Sequence, residues 1–498
     1  MMPNSPVSAV PLALLALLCT VHAGQAQTGP TAANTCDPRL YGATNDGITD
    51  DTVMIQKTID DCAGMGGGIV SLSGGGTYVT GPISLRSHVH LMIDAGTTLK
   101  NTNNHTRYQP AFIGYPFQFQ NNPSQNGGVG PALLGLPEAM ISAKDVIDVG
   151  ILGTGTIDGS GADPAAFPTP DNPNAYSWWK LATDSKAAGT PYPGYPDIPT
   201  NNGLPRPWMI EFYNASQVTV RGITATNCSM WCLGLRYTDG AQVSNYVVRN
   251  SSDSPNTDGV DLAGSRNVIL ANLDIATGDD NVAIKSGLPG VPDGAYYAPP
   301  YNLPQIATSN VTVVNSTFRT GHGLSVGSET VNGVNTIRVN TILFAGTDNG
   351  FRIKTGRDRG NQIYGMTVSN LTMVDVPTPL SLSEYYPTIP TATQGDIAQT
   401  ITREPFVHDI SISGVTVTNP RTVRNTAVGG GLVIGLPESP IYNLSLSHIH
   451  ISSSNPSAMR LRNLRDSSCS DVMVTSTAGI AITPFSPEGG FVNVQGCQ

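Results

Sequence analysis

Two aspartates stand side by side in "TGDDNVAIKSG" (277–287), at the mouth of an apolar run. Adjacent strand residues point to opposite faces, so Asp279 and Asp280 cannot both serve one local purpose. Three other segments read the same way: "NTDGVDL" (256–262), "GHGLSVGS" (321–328) and "NGFRIKTG" (349–356). Their inward apolar pairs are Val260/Leu262, Val282/Ile284, Leu324/Val326 and Phe351/Ile353. If these strands stack, equivalent positions lie about 4.8 Å apart. Two residues before the first apolar position of each strand, a polar column then forms from Asp258, Asp280, His322 and Asn349, with Asp279 one step before it. The outward positions of the fourth strand are Arg352 and Lys354, and Lys285 shares the Lys354 column. Asp and Asn are common at strand corners, and a lone His, Arg or Lys is usually structural. The conjunction is different, because like charges stacked on one face repel with no structural gain to offset the cost.

The elements that would position these groups follow from a repeat. From about residue 140 onward, a polar Asn/Ser/Asp turn is followed by alternating apolar positions, as in "ASQVTVRGITATN", "SNVTVVNSTFRT" and "HDISISGVTVTN". The anchors of eight copies are Val218, Val243, Val268, Val311, Ile337, Met366, Ile410 and Leu444, spaced 25, 25, 43, 26, 29, 44 and 34 apart. A period near 25 with insertions predicts an all-β chain: a single-stranded right-handed parallel β-helix, or solenoid. The Pro- and Tyr-rich insertions at 288–305 and around 385–405 read as walls of a cleft. "NDGITDDTVMIQKTIDDCAG" (45–64) reads as a short N-terminal capping helix, with Thr49 and Asp50 as capping residues and Val53, Ile55 and Ile59 as its apolar face. Residues 27–498 are therefore expected to form one domain.

Residues 1–26 contain an apolar run from Val10 to Val21 and small residues at Ala23 and Ala26, the pattern of a cleaved secretion signal, although Lys and Arg are missing before the run. The run is too short to span a bilayer, and no later segment approaches that length. A secreted protein without a membrane segment is expected. Of seven cysteines, Cys19 would leave with the signal, and six suit an oxidising compartment. Cys36 is expected to pair with Cys62 and Cys469 with Cys497. Cys228 and Cys232 read as buried thiols, since an extended stretch would hold them too far apart to bridge. The formal charge of −10 and pI near 5.2 argue against nucleic acid as a partner, and a polyanionic ligand would need a few aimed cations.

"NTD", "GDD", "GHG" and "RIK", in this order, resemble the four motifs of the polygalacturonases of glycoside hydrolase family 28, with a resemblance to its bacterial endo-enzymes. The likeness runs from about residue 36 to the end and takes in "GTGTIDGSG" (153–161) and "SWWKLATDSKA" (177–187). It implies hydrolysis of α-1,4-linked galacturonan in demethylated pectin with inversion; a monomer is expected, with no cofactor and no metal. Asp279 would be the general acid, Asp258 and Asp280 would position and deprotonate water, and His322 would support the protonation of the acid. Arg352 and Lys354 would bind the uronate, with Lys285 beside them, and Asn256 and Tyr386 ("PLSLSEYY") would assist. Inverting hydrolysis needs one protonated carboxyl and one basic carboxylate, and crowding of carboxylates pushes one pKa up.

Competing readings are an exo-acting enzyme, another pectin-backbone hydrolase, a calcium-dependent pectate lyase, and a non-catalytic glycan-binding β-helix. Trp178, Trp179 and Trp208 read as core or capping residues in preference to sugar platforms. Eight N-X-S/T sequons, such as Asn104-His105-Thr106, would carry glycans only in a eukaryotic host. His448 and His450 alternate in a strand without the partners a metal site needs.

Overall fold

A computed structural model describes residues 34–102, 104, 107–108, 139–163, 177–180, 182–183, 206–287, 306–401, 403–419 and 429–497. The signal segment, Cys19 and the insertion at 288–305 lie outside the described residues, as do His105 and Thr106 of the quoted sequon and much of the 177–187 motif. No helix among the described residues is long and apolar enough to cross a membrane.

Short strands and tight polar corners wind the chain into a parallel β-helix. At the corners Asn214, Asn245, Asn272, Asn310 and Asn370 have φ between 48° and 57°. Asn tolerates this left-handed conformation better than other residues with a side chain, which is why the repeat begins on it. The Asn310 amide donates to Asn267 Oδ1 at 2.7 Å, so the corners are also cross-linked from coil to coil. Between corners, side chains alternate inward and outward, and the inward ones form a single apolar column from Cys36 to Cys497. Described strand pairs are parallel except Ser468–Ser476 with Ala481–Ile482.

The observed register gives the inward column Val218, Ala241, Val268, Val311, Ile337, Met366, Ile410, Leu444. Ala241 replaces the expected Val243, which lies between Val220 and Leu270. A slip of two residues keeps the same face inward, so period alone cannot detect it, and the larger side chain drew the assignment.

The helix α1 spans Thr52–Gly64 and starts later than expected, because Asp46–Asp50 forms a strand. Asp50 Oδ1 accepts from Thr52 N at 3.0 Å, while the Asp51 carboxylate accepts from the backbone of Thr44 and Asn45 and ties the helix to the chain before it. Ile55, Ile59 and Cys62 are fully buried, whereas Val53 is 66% exposed and not part of the packed face. Cys36–Cys62 and Cys469–Cys497 are bridged as expected. Cys228 and Cys232 are also bridged, which corrects the reading as free thiols. The chain turns a corner there instead of continuing as a strand, bringing their Cα atoms to 5.4 Å, within bridging distance.

Among the described residues, one face of the coil is a sheet of twelve parallel strands. Six matter for the site: β1 (Leu233–Arg236), β2 (Val260–Ala263), β3 (Val282–Lys285), β4 (Leu324–Gly327), β5 (Asn349–Lys354) and β6 (Thr378–Ser383).

Candidate active site

The apolar pairs of β2 to β5 align as the sequence predicts: Val260 with Val282, Leu324 and Phe351, and Leu262 with Ile284, Val326 and Ile353. All eight are fully buried, so a one-residue slip would turn four apolar pairs to solvent. This burial fixes the corner residues that precede each strand. Gly259 N donates to Asp280 O and Asn281 N to Gly323 O, which stacks the corners of successive coils.

The adjacent aspartates diverge. Asp280 accepts from Arg352 Nη2 at 2.6 Å and Ser325 Oγ at 2.9 Å on one oxygen, and from Lys354 Nζ at 2.7 Å on the other. Its side chain is 2% exposed. Burial works to raise its pKa, but Lys354 and Arg352 outweigh it and hold the group ionised, well below the ordinary carboxylate range. Asp279 is 24% exposed, with Oδ1 3.1 Å from His322 Nδ1 and Oδ2 accepting from Asn256 Nδ2 at 3.3 Å. Here too burial acts to raise the pKa, and the His322 hydrogen bond brings it below the usual value. His322 is raised: burial opposes the charge, but Asp279 and Asp280 favour it, with Asp348 Oδ2 3.6 Å from Nε2. One proton is thus shared by the Asp279–His322 pair and rests on the imidazole side.

Of Asp258, Asp279 and Asp280, the one whose pKa is pushed up is Asp258. Burial is the main cause, followed by the charges of Asp261 and Asp279. Asp258 has Lys285 Nζ 3.6 Å away. Lys285, expected beside the uronate-binding cations, is 7% exposed and lies closer to Asp261 (2.8 Å), with Trp231 3.9 Å from its ammonium. It lies deeper than the other two cations and among acids, whereas Arg352 and Lys354 keep 17% and 13% of their side chains exposed.

Tyr386 is 36% exposed at the rim, its ring 6.0 Å from Lys354 Nζ and 5.0 Å from the Arg359 guanidinium. Just before it, the buried Glu384 accepts from Val407 N and Leu436 N and anchors the departing chain. The insertion that follows is fastened over the sheet: Arg357 holds Asp396, Arg460 donates to Pro390 O, and Arg462 donates to Thr391 O, Ala392 O and Gln394 O. Trp178 and Trp208 are buried and Trp179 donates to Cys228 O, in keeping with core and capping roles. His448 and His450 face Asp471.

Sequence reasoning missed Arg206, which is fully buried and donates to Ser229 O, Pro255 O and Asn256 Oδ1, setting the corner that carries Asn256 and Asp258. Its only sequence signal is an arginine between two prolines. Ser325, Asp261 and Glu329 were missed as well, although each lies within or just after a motif. Asp279, Asp280 and His322 each offer a ligand atom within 4.8 Å of the others. The two cations on Asp280 make this a poor seat for a divalent ion.

Carboxyl groups in different charge states beside aimed cations, on the face of a parallel β-helix, are the equipment of an enzyme that cleaves glycosidic bonds. Residues 88–477 match the model of the glycosyl hydrolases family 28, and the chain belongs to that family. Residues 39–129 also match the model described as rhamnogalacturonase A/epimerase, pectate lyase-like. The chain is 32% identical over 337 residues to an endo-polygalacturonase of Pectobacterium carotovorum subsp. carotovorum, covering 67% of this chain and 72% of that one. It is 31% identical over 372 residues to a polygalacturonase of Ralstonia nicotianae, covering 68% and 62%. Among solved structures, the polygalacturonase from Erwinia carotovora ssp. carotovora matches with a TM-score of 0.61 at 25% identity, covering 92% of this chain and 97% of that one. The family 28 exopolygalacturonase of Yersinia enterocolitica matches with a TM-score of 0.70 at 20% identity, covering 93% and 78%, a likeness of fold.

Proposed function

We propose that this protein is a secreted polygalacturonase that hydrolyses α-1,4-galacturonosyl linkages of demethylated pectin, acting within the chain and with inversion. The observation that carries the reading is the division of labour between Asp279 and Asp280. Asp280 is held by Arg352, Lys354 and Ser325, while Asp279 is the more exposed of the two and lies within hydrogen-bond distance of His322. Asp279 is the general acid for the glycosidic oxygen. Its proton comes from the His322 pair when a bound saccharide excludes water and removes the stabilisation of the charged carboxylate. Asp258 and Asp280 activate the water.

Arg352 and Lys354 take the uronate of the substrate as well as Asp280, since each has N–H donors beyond those facing Asp280 and Ser325. Asn256 and Tyr386 position the sugar. The endo reading follows the Pectobacterium relative, and the three disulfides suit an oxidising, extracytoplasmic setting.

The test is incubation with demethylated polygalacturonate in the presence of a chelator, following reducing ends, ultraviolet absorbance of unsaturated products and product lengths together. Reducing ends without new absorbance, appearing first as mixed oligomers, are expected. Early monomer or dimer alone would replace the endo reading with an exo one, and unsaturated products that need calcium would overturn hydrolysis.

A further inference from the structure

Beneath the aspartates of the site lies a second charged cluster. Lys285 projects from β3 and Asp261 from β2, on neighbouring outward columns of the sheet. The Lys285 ammonium is 2.8 Å from Asp261 Oδ1, 3.6 Å from Asp258 Oδ2 and 3.9 Å from Glu329 Oε1. Trp231 covers it from the fourth side, within a small apolar cluster of Ala139, Trp208, Met230 and Trp231. Asp261 is 1% exposed and Asp258 3%. Three carboxylates therefore share one ammonium where little water reaches, an arrangement that ionises fully only at high cost.

We propose that Asp261 and Lys285 are an opposed pair of positioning residues: the Lys285 ammonium keeps Asp258 available as a base, and Asp261 competes with Asp258 for that ammonium. The inference rests on the reading of Asp258 as part of the water-activating pair. The groups that face Asp258 are Asp261 on the strand that follows it, Asp279, Asp280 and Lys285 from the next coil, and Arg206 from the chain before β1; Glu329 acts through Lys285. His322 reaches this set only through Asp279 and Asp280. Burial pushes Asp261 itself up to about 7, so in mildly acidic solution the cluster holds a proton on its carboxylates. Among these groups, the Lys285 ammonium lies 3.6 Å from Asp258, and its nearer partner is Asp261.

The pair predicts shifts of opposite sign in the acid limb of kcat/KM against pH on polygalacturonate. Asp261→Asn weakens the nearer hold on Lys285 and releases its ammonium toward Asp258, so the limb moves to lower pH by about one unit. Lys285→Met removes the cation, and the limb moves to higher pH by about one unit or more. Lys285→Arg restores the limb. Shifts in one direction, or limbs that stay in place in variants whose thermal unfolding shows them folded, overturn the proposal. If Lys285→Met does not fold, Asp261→Asn decides alone, and an unmoved limb overturns it. Asp258→Asn separates the two levels: retained activity would overturn the reading of Asp258 as a base, while lost activity with unmoved limbs would overturn the pair alone.

Discussion

Lys354→Met tests whether the cations beside Asp280 also recognise the substrate. The ammonium is 2.7 Å from Asp280 Oδ2 and its side chain is 13% exposed. At an effective dielectric constant near 20, two unit charges at that separation attract by about 6 kcal/mol, but desolvation of both offsets much of this. Asp280 would keep Arg352 at 2.6 Å and Ser325 at 2.9 Å, so the fold should survive. What is lost on the substrate side is one charge-assisted hydrogen bond to a uronate, about 1.5–3 kcal/mol, or roughly 10- to 150-fold in kcat/KM. The assay compares kcat and KM on demethylated polygalacturonate and on highly methyl-esterified pectin, where the carboxylate is masked. The variant should lose most on the charged polymer, so the preference between the two narrows by about tenfold or more. An equal fall on both substrates, carried by kcat alone, would mean that Lys354 acts only by holding Asp280. An unchanged kcat/KM would refute the reasoning altogether.

Three further outcomes are expected. Asp279→Asn and Asp280→Asn should each lower kcat by about 10²- to 10⁴-fold, the range for a lost acid or base, and steady-state rates within tenfold of the parent would contradict the assigned roles. The raised pKa of His322 means that its charged form contributes stability fully present below about pH 6.5 and lost as pH rises through the higher folded value. Thermal unfolding scans should therefore fall on that side, and His322→Asn should remove this part of the slope. Replacing Cys228 and Cys232 by serine should cost about 2 kcal/mol, less than the roughly 3.5 kcal/mol for opening either terminal bridge, because the closed loop is so short. Denaturant midpoints would rank the three.

The site was legible where apolar side chains fixed a register. Val260/Leu262, Val282/Ile284, Leu324/Val326 and Phe351/Ile353 are large, paired and buried, so aligning them placed Asp258, Asp280, His322, Arg352 and Lys354 without structural information. Where the clue was a small residue, alignment failed, as with Ala241 against Val243. Where a corner broke the strand, distance was misjudged, as with the Cys228–Cys232 bridge. Partners that act from below were invisible, because the column rule says which residues face outward and not which of them another segment then covers. Lys285 and Asp261 are outward by register yet buried, Lys285 with Trp231 over its ammonium, and the contacts of Arg206 depend on a chain segment with no repeat of its own.

Asp258, Asp280, His322 and Arg352 are contributed by successive coils, whose strands each pair with their nearest neighbours, while Arg352 reaches past one coil to Asp280. An array of this kind comes apart from its ends, where a coil has one neighbour instead of two, and here both ends are stapled by a disulfide. A molecule that has shed a terminal coil would still present every group of the reaction. Enzymatic activity is thus a poor gauge of how much of the coil remains folded, and turnover is expected to persist well into unfolding that spectroscopy already detects.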